Sequence, residues 1–214
     1  MKVTLAAITN PTVSGITTAE DLIVYAARVS NPSNQFNTET GEKLLRYCIK
    51  HGHWSVFETA SMTLEIQTSR AIAAQILRHR SFTFQEFSQR YAEATDFEPV
   101  ELRRQAANNR QSSSEVMDDE HCHHLVSQIM YRAETAYVEL LSSGVARECA
   151  RMILPLCTST TLYMTGSVRS WIHYFEQRRS EHAQKEHQEV ANAAYAIFDE
   201  QFPVISAALK EMAK

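Results

Sequence analysis

Glycine and proline number only five each in 214 residues. That scarcity of turn-forming residues argues against a many-stranded β fold and favours helices. No stretch approaches the roughly 18 apolar residues of a membrane span. The opening MKVTLAAITN has one lysine and a short apolar stretch, without the longer apolar run of a signal peptide. Cysteine is also sparse: Cys48, Cys122, Cys149 and Cys157 form no CxxC pair and no secreted-scaffold spacing. Reduced thiols and a cytoplasmic location are therefore expected. Positive charge is not in excess, and the formal net charge of −4 excludes bulk electrostatic attraction to nucleic acid or an anionic membrane. What remains is of ordinary globular composition, with 44% hydrophobic and 21% charged residues. The length suits one domain with a substantial core.

Periodicity organises that domain. Val3 to Ile8 reads as a short strand. Thr18 followed by Ala19-Glu20-Asp21 resembles a capped helix start. Leu22, Tyr25, Ala26 and Val29 follow at helical spacing until Asn31-Pro32. A second helix carries Leu44, Leu45, Cys48 and Ile49 and stops near His51-Gly52. Over Ser61 to Ser69 the period changes to two, which predicts a half-buried strand. Helix resumes from Ala71 to about His79. Residues 96–122 are rich in Asn, Ser and Asp and predict a polar, mobile excursion within a single domain spanning 1–214. Beyond it, helices are expected over 123–142, 147–154, 168–179 and 182–202, with a short last one opening at Pro203. The fold class expected is α+β, mostly helical, with a small, largely antiparallel sheet.

The densest chemistry lies between Gln75 and Arg90. Gln75 and Arg78 share one side of the predicted helix, opposite the apolar stripe of Ile72, Ala73, Ile76 and Leu77. Arg78, His79 and Arg80 gather at its C-terminal end, where the helix dipole favours cations. A solvated surface or an intersubunit salt bridge would account for those three alone. The surrounding residues add Glu86, Ser88, Gln89 and Arg90, interleaved with Phe82, Phe84 and Phe87. Arginine forks pair bidentately with phosphate, and carboxylate, amide and hydroxyl groups suit sugar and base edges. Close arginines repel unless an anion sits among them, so a nucleotide is a natural ligand, of no specified kind.

Arg78-His79-Arg80, seven residues and then Ser88, continuing Gln89-Arg90-Tyr91, resembles the RHRx7S signature of flavin-dependent thymidylate synthases. The likeness extends through AARVSNP, KHGHWSVFE, ECARMILP and RRSEHAQKEH, leaving only residues 96–122 outside it. The resemblance implies reductive methylation of dUMP to dTMP. 5,10-Methylenetetrahydrofolate would give the carbon, and FAD reduced by NADPH the hydride. It implies a homotetramer with active sites at subunit interfaces. The positions matching the nucleotide site are Gln75, Arg78, Glu86, Ser88, Gln89, Arg90 and Arg151. Those matching the flavin site are Ser55, Arg78, His79, Arg80, Glu86, Ser167, Val168, Arg169, His173 and His182. Ser167 and His173 stand where the family commonly carries asparagine, and Thr83 replaces a common serine. Arg178 matches the catalytic arginine, which also binds substrate: a cation beside the uracil ring stabilises its anionic form.

Other chemistries are weaker on their face. No cysteine has an activating partner in the sequence, and Ser88 lacks a legible histidine and acid partner. His121-Cys122-His123-His124 is nearly contiguous, where structural zinc sites separate their ligand pairs, so no metal is expected. His51 and His53 are read the same way. A non-catalytic RNA-binding module would need basic charge spread along a face.

Overall fold

The computed structural model describes residues 1–94 and 96–212. The chain opens with β1 (Lys2–Ile8), α1 (Ala19–Ala27) and α2 (Gly41–Lys50), then a 3-10 turn over Trp54–Glu58. β2 (Ser61–Ser69), α3 (Arg70–Ile76) and β3 (Thr83–Glu86) follow. Next come β4 (Arg103–Gln105), β5 (Ser113–Val116), the long α4 (Glu120–Ser142) and the short α5 (Arg147–Ala150). A 3-10 turn at Arg151–Ile153 precedes β6 (Ser159–Ser167), α6 (Val168–Arg178), α7 (Lys185–Gln201) and α8 (Pro203–Met212). Helix thus dominates over strand, and the class is α+β as expected.

The helix ends follow local chemistry. Thr18 caps α1 by accepting the Asp21 N–H, and Asp119 caps α4 by accepting that of Cys122. α2 stops at Gly52 and α4 at Gly144, both with positive φ, a conformation glycine adopts without strain. α3 ends at Ile76, before the expected stop. Arg78 and His79 consequently lie in a turn, where their side chains are not tied to helical spacing.

The main sheet has the order β1-β2-β6-β3. Thr63 meets Thr165 through their hydroxyls (2.9 Å), and the Tyr163 hydroxyl donates to Glu65 (2.9 Å). These partners run in opposite order along β2 and β6, so the two strands are antiparallel. Met62, Leu64 and Ile66 of β2 are buried, as are Leu162, Met164 and Gly166 of β6. β6 lies outside the expected elements, although it has the same period-two pattern. Residues 96–122 contain the antiparallel β4–β5 pair, Arg103 opposite Val116.

The chain divides into two compact units, and the boundary cuts β2, β3 and β6. The first comprises Met1, Gln67–Arg78 and Glu86–Leu162; the second Lys2–Ile66, His79–Gln85 and Tyr163–Lys214. In the first, α4 packs on α5 and on the 3-10 turn that follows it. In the second, α7 packs on β1, α6 and α8, and α2 packs on α1 and α8. Its core includes Ile23, Phe57, Trp171, Phe198 and Phe202.

Candidate active site

In the first unit the organising residue is Arg70, which was not among the sequence-level candidates. It follows β2 directly, and its guanidinium donates to Glu86 Oε1 (2.6 Å) and to Gln89 Oε1 (3.1 Å). Thr160 donates to the same Glu86 oxygen (3.0 Å). Glu86 is thereby held by one oxygen, and Oε2 makes no hydrogen bond among the described residues. The Arg70 contact also settles the Gln89 amide: its oxygen faces Arg70 and its nitrogen points away. Gln89 is only 5% exposed, and that nitrogen finds no partner among the described residues. A buried donor left unpaired costs about 1–3 kcal/mol, so its natural complement is an acceptor brought from outside.

Around this pair the signature is open to solvent. Arg78, Ser88 and Arg90 are exposed, and Gln75 is half-buried. Ser88, Arg90, Tyr91, Ala146, Arg147 and Glu148 line a cavity of about 390 Å³. Arg90 meets Glu148 at 2.9 Å, but both side chains are more than half exposed. Such a pair contributes little, and the arginine is available to a phosphate. Arg151 opens its 3-10 turn with a buried Nε that has no partner among the described residues.

The second unit holds the other candidates. Here the structure brings together two residues far apart in sequence: Arg178 Nε donates to His79 Nε2 (2.8 Å). The terminal nitrogens of Arg178 make no hydrogen bond or ion pair with a described residue. His79 is edge-on to Tyr174 at 5.0 Å and to Phe82 at 6.4 Å. Arg80 is exposed, as is Ser55 in its 3-10 turn. Arg169 is paired with Glu58 at 2.5 Å. His173 packs against Trp54, ring centroids 4.9 Å apart, and meets Glu176 at 3.2 Å. His182 lies exposed in the turn before α7, its N–H donating to Ser180.

Ser167 is the N-cap of α6, accepting the Ser170 N–H at 3.2 Å. Asparagine caps equally well, so serine here fills a structural role that asparagine would also fill. The Val168 N–H is committed to the Ala60 carbonyl at 2.9 Å. Two buried residues outside the sequence-level candidates complete the unit's polar core. His187 is fully buried, with Nε2 3.1 Å from the Tyr174 hydroxyl. Burial, then the nearby Arg178 guanidinium, pull its pKa down to about 3. Burial pushes the Tyr174 phenol up. Their positions, 13 apart on different helices, carry no sequence signal beyond a histidine on an apolar stripe.

The cysteines are all free. Burial raises the Cys48 and Cys157 thiols; burial and the Asp119 carboxylate raise Cys122. None of those three is poised as a thiolate nucleophile. His121 to His124 occupy the first turn of α4, and successive positions there point to different sides. Among the described residues no group of three or more His, Cys, Asp or Glu could hold a metal ion. No helix among them is long and apolar enough to cross a membrane.

Residues 12–204 match the model of the family described as thymidylate synthase complementing protein. A probable flavin-dependent thymidylate synthase of Paramecium bursaria Chlorella virus 1 is 53% identical over 213 residues, covering 98% of this chain and 99% of the relative. A flavin-dependent thymidylate synthase of a Synechocystis strain is 53% identical over 194 residues, covering 89% of each. The crystal structure of a UMP/dUMP methylase, PolB, from Streptomyces cacaoi bound with 5-Br dUMP superposes with a TM-score of 0.85 at 27% identity. It covers 98% of this chain and 94% of that one. The chain belongs to the family of thymidylate synthase complementing proteins, the flavin-dependent thymidylate synthases.

Proposed function

We propose that this chain methylates dUMP at C5 to give dTMP, as a flavin-dependent thymidylate synthase with FAD as cofactor. 5,10-Methylenetetrahydrofolate is the carbon donor and NADPH the reductant. The observation that carries the reading is the buried Gln89 amide, turned by Arg70 so that its N–H donor lacks a partner. A nucleotide carbonyl or sugar oxygen would satisfy it. Glu86 Oε2 offers the complementary acceptor, and Gln75 and Ser88 offer further polar contacts. Arg78, Arg90 and Arg151 supply the positive charge a phosphate requires. Ser88 binds and does not attack.

Arg178 carries the catalytic role. Its two terminal nitrogens can donate to a uracil carbonyl and stabilise charge as the ring becomes anionic, which raises electron density at C5. Arg78, His79, Arg80 and Glu86 from the signature, with Ser55, Ser167, Val168, Arg169, His173 and His182, are assigned to the flavin. Exposed arginine and serine side chains within this set fit its phosphates. When bound, FAD would supply the hydride that completes the methyl group, and these side chains would orient the reacting partners. In this family active sites lie at subunit interfaces of a homotetramer, so the groups addressing one dUMP need not come from one chain. The family match runs from 12 to 204, across both compact units, which supports one family domain over 1–214. The free cysteines fit a cytoplasmic location.

Absorbance of the purified protein tests the cofactor and the substrate together. Bound flavin should give a yellow protein whose visible spectrum changes on titration with dUMP. A colourless protein that retains RNA would contradict the reading.

A further inference from the structure

Arg178 has one N–H at Nε and can only donate there, so His79 Nε2 must accept. His79 is therefore neutral in this arrangement, with its proton on Nδ1. Nothing in the Arg178 contact by itself prevents the ring from turning and presenting its other nitrogen. The surroundings do. Tyr174 stands edge-on at 5.0 Å and 78°, and His187 is perpendicular at 6.2 Å. Tyr174 and His187 are 1% and 0% exposed and joined by a 3.1 Å contact between the phenol and imidazole Nε2. A fully buried histidine is costly unless neutral and paired, and this one faces the Arg178–His79 pair, where the guanidinium disfavours its charged form.

We propose that His187, acting through Tyr174, is a positioning residue for the reaction. It fixes the ring of His79 so that Nε2 faces Arg178, and His79 in turn fixes the guanidinium so that its two terminal nitrogens address the ligand. The pair contributes orientation and does not itself touch substrate. This rests on the catalytic role assigned to Arg178. Tyr174→Phe removes one oxygen and leaves the ring; His187→Leu removes both ring nitrogens; His187→Gln keeps a polar nitrogen near the Nε2 position.

The primary readout is the ¹⁵N-histidine spectrum of the resting protein, with the His79 signals assigned by loss in His79→Gln. The native protein should show His79 as a single tautomer, protonated at Nδ1. In Tyr174→Phe and His187→Leu the two nitrogens should move toward averaged values. Turnover should fall at least about tenfold, the scale of small misplacements, with KM for dUMP and flavin retention unchanged. His187→Gln should recover most of both. A single unchanged tautomer in both variants, or no advantage of Gln over Leu, would overturn the proposal. So would loss of the fold in Tyr174→Phe, which would assign the pair to the core. A native protein that makes no dTMP would refute the thymidylate synthase reading, while the spectrum would still decide this one.

Discussion

Arg178 uses one nitrogen on His79 and keeps two, which is the geometry of a residue held in place to address something else. Arg178→Ala should lower turnover by about 10²–10³-fold, the usual loss when one preorganised charge stabiliser is removed, while flavin stays bound. Steady-state kinetics beside the flavin absorbance would check it, and near-normal turnover would refute the role. His187 makes a second residue-level prediction. Its pKa is about 3 in the fold against the ordinary 6.5. Between those values the unfolded chain takes up a proton that the folded chain refuses. The stability of the native state is therefore full above about pH 6.5 and declines as pH falls toward 3. Between pH 7.5 and pH 5 the loss from this group should be about 2 kcal/mol. Urea unfolding of the native protein and His187→Gln at both pH values isolates it, since the variant should lack that part of the slope.

Among the elements, β6 shows how tightly the signature is tied to the sheet. A Cβ placed on Gly166 would meet two Phe82 ring atoms at 2.4 Å. Phe82, 7% exposed, thus packs directly against the strand and anchors the turn that carries His79 and Arg80. Gly166→Ala should cost about 1–3 kcal/mol, as overpacking does, and Phe82→Leu should recover part of it in the double variant. The cap of α6 makes a quieter prediction. Ser167→Ala should cost about 1 kcal/mol, and Ser167→Asn should be close to neutral. Thermal melts of both compare them directly.

Elements with a clean period are legible from the chain: the period-two run gives β2 its bounds at Ser61 and Ser69, and α6 and α8 begin where helical spacing places them, at Val168 and Pro203. β6 was legible in principle, since Thr160, Leu162, Met164 and Gly166 alternate with outward residues. Its hydroxyl-rich composition hid the pattern. β3 is four residues long and too short for periodicity to declare. The candidate site divides the same way. Glu86, Gln89 and Arg178 stood out by residue type and family resemblance, whereas Arg70, Tyr174 and His187 act through contacts made only once the chain is folded.

At the scale of the molecule, the first unit exposes apolar side chains that water does not favour. Ile129 on α4 is 60% exposed, Met152 76% and Leu156 71%. The Tyr137 hydroxyl and Arg151 Nε are buried and unpartnered among the described residues. Exposed apolar groups, where they form a contiguous patch, mark association surfaces, and these three fit the proposed homotetramer. Light scattering should give the mass of four chains, and Ile129→Glu should shift it to smaller species.

The central claim is the reaction, and its most direct measurement is dTMP formation from dUMP, 5,10-methylenetetrahydrofolate, NADPH and FAD, with each component omitted in turn. The account predicts dTMP from the complete mixture and none when dUMP, the folate or the reductant is withheld. Well-folded protein that forms no dTMP with every component present would contradict it.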